Sequence, residues 1–269
     1  FRDANTKTLK SIFDQQSNME SKRQNYSGKV GLDYELSKKS TLGVVLNGFY
    51  NPGLWQSNTN TLIYDPNNNL TDQTTADTHN DEKWKNFSGN INFRTKLDSA
   101  GQELTTDLDF IQYKATSFQP LTSTYYDNSG NQLKAPEVLN GTLPTNIKIY
   151  SGKIDYTLPL KKDAKFEAGF KTSFVETDND ARFYNMSSGT PEDDVNKTNH
   201  FYYDENINAA YLNYKKEYKK IDFQLGLRAE KTKVKTKQVK GNITWDSSYT
   251  QLVPSAILNF KLKVDQTIG

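Results

Sequence analysis

Few residue types in this chain lend themselves to catalysis. It has two histidines, His79 and His200, and no cysteine in 269 residues. A serine nucleophile needs a base beside it, yet no GxSxG elbow occurs and both histidines fall in polar stretches read as outer loops, with no placed serine partner. The phosphate-cradling pattern GxxxxGK[ST] is also absent. The acidic groups Asp178-Asn179-Asp180 and Glu192-Asp193-Asp194 offer oxygen ligands of the kind Ca2+ takes, but without the spacing and closing glutamate of an EF-hand. Solvated loops are the plainer account, so no metal site, no cofactor and no enzyme activity are expected. What remains is a set of large aromatics at or near predicted upper strand ends: Trp55, Trp84, Tyr125, Tyr126, Tyr202, Tyr203 and Trp245. These suit stacking on a sugar or aromatic ligand; the commoner use of such residues is an interfacial girdle.

The elements that must position them are strands. Residues 221–234, IDFQLGLRAEKTKV, alternate strictly. Ile221, Phe223, Leu225, Leu227 and Ala229 are apolar; Asp222, Gln224, Gly226, Arg228, Glu230 and Thr232 are polar or glycine. Alternation with period two is a strand with one apolar and one wet face. The same code recurs along the chain. It runs through residues 26–36, 41–51, 84–97, 103–114, 150–158, 166–174, 202–218 and 252–264, with a loosely defined strand near residues 8–15 followed by a polar loop. Strands of soluble sandwiches average about 5–6 residues, whereas crossing an outer membrane takes about 9–11. Arg94, Lys153, Asp155, Lys171, Arg228 and Glu230 all fall opposite the Leu/Phe/Ile rows, as residues facing a lumen do.

The connections alternate in length. Short turns at residues 37–40, 98–101, 161–164 and 219–220 alternate with polar stretches at residues 52–82, 117–145, 178–197 and 238–248. Short periplasmic turns and long extracellular loops are the outer-membrane pattern. The expected fold is therefore all-β: part of an antiparallel up-and-down transmembrane β-barrel with about 9–10 long strands, occupying residues 1–269 as part of one domain. A soluble sandwich with a solvated outer face has the same polar phase; strand length and loop alternation favour the barrel.

Composition agrees. The chain is 34% hydrophobic with 16 tyrosines and 14 phenylalanines, which suits strands that show lipid only every second residue. No run of about 18 apolar residues exists, so no transmembrane helix is expected. With 34 basic and 32 acidic residues, a net charge of +2 gives no case for nucleic acid. The start, FRDANTKTLK, has no signal-peptide pattern and the end, LKVDQTIG, follows a strand directly. These suggest a fragment of a longer chain whose signal peptide and closing strands lie elsewhere.

The run FYYDENINAAYLNYKKEYKKIDFQLGLRAEKT, followed after a loop by YTQLVPSAILNF, resembles the outer-membrane β-barrel family of TonB-dependent receptor type. The matching positions are Glu205, Ile207, Ala209, Ala210 and Tyr211, then residues 224–230 with Thr232, then Tyr249, Leu252, Pro254 and Ser255. GLDYELSKKSTLG near the start resembles the family's strand–turn–strand unit. The resemblance implies a bacterial outer-membrane location and a receptor of roughly 22 strands with an N-terminal plug. Such a receptor imports a nutrient such as a metal chelate or an oligosaccharide. Its partners would be outer-membrane lipid, a small-molecule or glycan ligand, and a TonB-type energy-coupling protein acting through the plug. A soluble sandwich or adhesin and a barrel hydrolase are the competing classes.

Overall fold

A computed structural model describes residues 9–263 and 266–268. Among these residues the chain forms one antiparallel sheet of 13 segments. In chain order they are β1 (Ile12–Arg23), β2 (Tyr26–Ser37), β3 (Ser40–Tyr64), β4 (Leu70–Lys96), β5 (Glu103–Asp127), β6 (Glu137–Thr142), β7 (Thr145–Leu160), β8 (Ala164–Asn185), β9 (Glu192–Asp193), β10 (Asn199–Glu217), β11 (Ile221–Gln238), β12 (Ile243–Lys263) and β13 (Gln266–Ile268).

Two pairs of segments are each one interrupted strand. β1 and β2 share one register along β3, with Arg23 opposite Gly53 and Tyr26 opposite Tyr50. The ladder lapses beside Pro52, which has no N–H to give; the Gln24 N–H still donates to the Pro52 carbonyl at 3.0 Å. Pro144 parts β6 from β7 in the same way, and both run along β5. Each long strand is hydrogen-bonded to the next in sequence, so the sheet is a meander.

Directly opposed residues share a face of the sheet. Leu32, Val44, Ile91 and Leu108 form one continuous row across β2 to β5. Phe170, Ala210, Ala229 and Leu252 form another on the same face across β8 to β12. On the other face, Asp33, Gly43, Asn92, Asp107, Lys153, Lys171, Ala209 and Glu230 form one row from β2 to β11. Exposure along β11 shows the curvature. Leu225, Leu227, Ala229 and Lys231 are exposed while Gly226, Arg228, Glu230 and Thr232 between them are half-buried or buried. The polar row lies on the concave side and the apolar row on the convex side.

Among the described residues, no second layer covers the convex face. Leu225 and Leu227 remain 52% and 50% exposed, and among the described residues the buried apolar ones are only Ala115, Ala164 and Ala209. The chain's accessible surface is 18124 Å², against about 12,000 Å² for a globular monomer of this mass. A soluble sandwich must seal its apolar rows beneath a partner sheet, so that alternative fails here. The rows are instead a belt for hydrocarbon. From Ile221 to Ala229 on β11, or Tyr26 to Leu36 on β2, the belt runs about 26–33 Å along the strand. A strand tilt of about 40° reduces this to roughly the 25 Å of an outer membrane's apolar band.

Several connections differ from expectation. The stretches 52–82, 117–145 and 238–248, expected as loops, are mostly strand, and 178–197 is half strand. β3 and β4 pair without interruption to Ile63 opposite Asp72, carrying their hairpin about 45 Å past Tyr50. Polar Thr, Asn and Tyr residues pair well in a ladder bathed by water, so a polar segment need not be a loop. Carboxylates close the tips. Asp65 accepts the N–H groups of Asn67 and Asn69 at 2.8 Å; Asp127 accepts those of Ser129 and Asn131 at 2.9 and 2.8 Å. Left-handed residues, Asn68 (φ 67°) and Gly130 (φ 84°), complete the turns. Side-chain hydrogen bonds from Asn69 and Asn131, then backbone ones, hold both carboxyls below the ordinary carboxylate value. Near the start, β1 continues as strand to Arg23 where a polar loop was expected; of the expected strand at residues 8–15, Thr8 lies outside the described residues, as does Val264 at the other end. His79 lies in β4 and His200 in β10, not in loops.

One end of the sheet turns directly at the belt's edge, as at residues 38–39 and 161–163; the other end projects. The projecting end is the extracellular one by the outer-membrane rule.

Leu225→Arg places a charge on the convex belt, at a cost of about 2–4 kcal/mol near the bilayer midplane, and should block assembly into the membrane. Gln224→Arg, one residue away on the concave face, should assemble. Heat-modifiable migration of membrane-extracted protein reads both, and equal behaviour would contradict the facing.

Candidate functional site

The concave face is where the chain concentrates polar chemistry. At membrane depth, Lys153 and Asp155 on β7, Tyr211 on β10, and Arg228 and Glu230 on β11 lie in two neighbouring rows. Arg228 donates to Glu230 from Nε at 3.0 Å and from Nη2 at 2.7 Å. The Asp155 carboxylate takes both the Tyr211 hydroxyl and the Lys153 ammonium. Tyr211 reaches it by lying over Gly169, where a Cβ would collide with the tyrosine ring and the Asp155 carboxylate. Glycine at this position is the space the ring occupies. Lys171 stands in the same row as Lys153. Arg94, at the short-turn end, pairs with Glu103 at 2.6 Å. These charges have water or partners on the concave side, whereas the convex side would leave them in hydrocarbon.

Above the belt, the face forms a pocket of about 430 Å³ lined by Arg23, Phe49, Asn51, Gly53, Glu82 and Trp84. Arg23 Nη2 and Glu82 Oε2 stand 4.0 Å apart, and Phe49 faces Tyr113 with ring centroids 6.2 Å apart. The pocket offers two π faces and one charge of each sign, a set suited to a flat or saccharide ligand with polar substituents.

The aromatics chosen from sequence do not form one cluster. Trp55, Trp84, Tyr125, Tyr203 and Trp245 sit on the concave face; Tyr126 and Tyr202 sit on the convex one. Tyr203 and Trp245 share a row through Thr236. Beyond the belt, the Tyr203 hydroxyl donates to Glu205 at 2.7 Å and is pushed up to about 12, by that bond first and burial second. Tyr125 is already engaged. Its hydroxyl donates to Glu137 at 2.9 Å and its ring carries the Lys134 ammonium 4.1 Å from the centroid. The Lys134 hydrogen bond, then that of Tyr125, holds Glu137 below its ordinary value. Of the seven, only Trp84 lines the pocket, beside Arg23, Phe49 and Glu82, which sequence reasoning did not select. One signal was available: Phe49 breaks the polar alternation of its strand.

His200 Nε2 lies 2.6 Å from Asp178 on the convex face, and Asp180 pairs with Arg182 at 2.6 Å. Asp194 closes a turn by accepting the Asn196 and Lys197 N–H groups. No group of three metal-ligating side chains occurs among the described residues.

A meander of long strands, apolar outside and charged inside, defines the wall of a transmembrane β-barrel in the bacterial outer membrane. The chain belongs to the outer membrane protein beta-barrel family, whose pattern matches residues 95–269. No curated protein matches it. Among solved structures, it is similar to the ferripyoverdine receptor of Pseudomonas aeruginosa, at 12% identity over 94% of this chain and 40% of that one, with a TM-score of 0.49. It is also similar to the ferric-catecholate import receptor Fiu of E. coli K12, at 6% identity over 94% and 47%, TM-score 0.48. A third is the ferric preacinetobactin receptor BauA of Acinetobacter baumannii, at 11% identity over 94% and 45%, TM-score 0.46. The chain spans less than half the length of each.

Gly169→Val should push Tyr211 off Asp155 and cost about 1–3 kcal/mol by overpacking. Thermal melting of the detergent-solubilised protein checks it, and an unchanged midpoint would contradict the close approach.

Proposed function

We propose that this chain is the wall of a TonB-dependent receptor that captures a nutrient, a metal chelate or an oligosaccharide, on its concave face. The observation that carries the reading is the pocket of Arg23, Phe49, Glu82 and Trp84, set above the belt on the extracellular half of that face. β1/β2 and β12 each keep a long edge without a partner among the described residues. Hydrocarbon tolerates no open edge, so both edges are paired in the membrane. Barrels of about 22 strands hold a plugged lumen, those of about 16–18 leave a water channel, and eight-stranded ones are filled by their own side chains. Energy would reach the plug from a TonB-type inner-membrane partner. The protein would not be an enzyme: His200 is engaged by Asp178, and no GxSxG elbow supplies a serine nucleophile.

Cells expressing the full-length protein, offered a panel of ferric chelates and oligosaccharides, should accumulate one class, and a protonophore should abolish the uptake. Trp84→Ala should weaken capture by about ten-fold, at about 1–3 kcal/mol for a lost stacking face. Entry that persists with the protonophore, or cleavage of the offered compound, would overturn the reading.

A further inference from the structure

The pocket above the belt is one end of a longer surface. Along β3 the concave face carries Phe49, Asn51, Gly53 and Trp55; Asn86, Trp84, Glu82 and Asn80 of β4 stand directly opposite them. Trp84 is opposite Asn51. Trp55 lies four residues further toward the hairpin tip, about 13 Å along the strand. Trp84 is 42% exposed and Trp55 is half-buried. Between the two indoles the floor is Gly53, which has no side chain, and Glu82 stands beside it.

The polar groups between the indoles are ordered. The Gln119 amide donates to Ser117 Oγ at 3.1 Å, the Ser117 hydroxyl to Asn80 Oδ1 at 2.6 Å, and the Asn80 amide to Glu82 Oε1 at 2.7 Å. Asn80 is 3% exposed, so this relay is fixed in the wall. It does not use Glu82 Oε2, whose neighbour is the Arg23 guanidinium at 4.0 Å. A carboxylate held this way accepts from hydroxyl groups, and the guanidinium beside it donates to them.

Charge separates the two nutrient classes. Among the described strands, Arg23 is the one cation on the concave face above the belt, and it already faces Glu82. The carboxylates there include Glu82, Glu137 and Glu205. An anionic chelate would bring its charge to a wall of the same sign. An uncharged sugar meets no such repulsion. Its C–H faces suit the indoles, and its hydroxyls suit the amides, the carboxylate and the guanidinium at their edges.

We propose that this face binds an uncharged oligosaccharide lying along β3 and β4, with one sugar ring on Trp84, another on Trp55, and the hydroxyls between them on Glu82 and Arg23. The inference rests on the receptor reading above and narrows its nutrient to one class. The spacing also sets a length: a short saccharide covers one indole, and only a chain of several units covers both.

The test is calorimetric titration of the full-length protein in detergent. The probes are uncharged hexaoses of glucose, mannose, xylose and galactose, the matching disaccharides, ferric citrate and a ferric tris-catecholate. At least one hexaose should bind, more tightly than its disaccharide and than either chelate. W55A, W84A and E82Q should each weaken that hexaose by roughly ten-fold. W245A, on β12 and outside this surface, should bind as the unsubstituted protein does. Heat-modifiable migration verifies that each variant is folded. Binding of no hexaose, tighter binding of a chelate, equal binding of disaccharide and hexaose, full affinity in folded W55A or W84A, or equal weakening by W245A would overturn the proposal. Uptake by cells keeps the two readings apart. Protonophore-sensitive accumulation of a chelate alone would leave the receptor standing and end this inference. Hexaose binding as described, with entry that ignores the protonophore, would leave this surface standing and end the energised receptor.

Discussion

A backbone crossing hydrocarbon must satisfy every N–H and C=O from within the protein, and this constraint organises the whole chain. A meander of antiparallel strands meets it by giving each strand's polar groups to its neighbours. Once the backbone is spent that way, side chains have only two directions, and period two decides which solvent each one meets. The convex rows can then be Leu, Phe and Ile without aggregation, because lipid takes the role a second sheet would play. The concave rows can be Lys, Asp, Arg and Glu because they face each other and water. The near absence of buried apolar side chains among the described residues is the direct signature of this arrangement. Stability here comes from ladder hydrogen bonds and lipid contact, with no packed core.

The same constraint explains where the chain departs from regularity. Proline removes a donor, so the ladder lapses at Pro52 and at Pro144, both above the belt where water can compensate. Turns are closed by a carboxylate at their first position, as at Asp65, Asp98 and Asp127, the last two followed three residues later by a left-handed glycine. Within the belt the concave face is kept in order by ion pairs and by close approaches such as Tyr211 over Gly169. Such charge clusters lend shape to a lumen wall more than they lend stability.

Much of this was legible in the residues. Alternation along residues 221–230 fixed which side chains share a face, and the registers carry that assignment intact across the sheet. The six charges assigned to the wet side, Arg94, Lys153, Asp155, Lys171, Arg228 and Glu230, all lie on the concave face. What eluded reading was the length of the projecting hairpins. Residues 52–82 are rich in Asn and Asp, which propensity assigns to loops, while pairing across β3 and β4 overrides it. The pattern DPNNN was the overlooked clue, since it has the same Asp-first spacing as DNSGN. The pocket was also hidden, because Arg23 and Glu82 meet Phe49 and Trp84 only through pairing between strands distant in sequence.

The chain contains no cysteine, so single cysteines can report on each face of β11 without background. The most direct measurement is labelling of Gln224→Cys, Leu225→Cys, Leu227→Cys and Arg228→Cys in intact outer membranes with a small charged thiol reagent. The account predicts labelling at positions 224 and 228 and protection at 225 and 227. Labelling of both rows alike, or of 225 and 227 alone, would contradict a belt bathed in hydrocarbon.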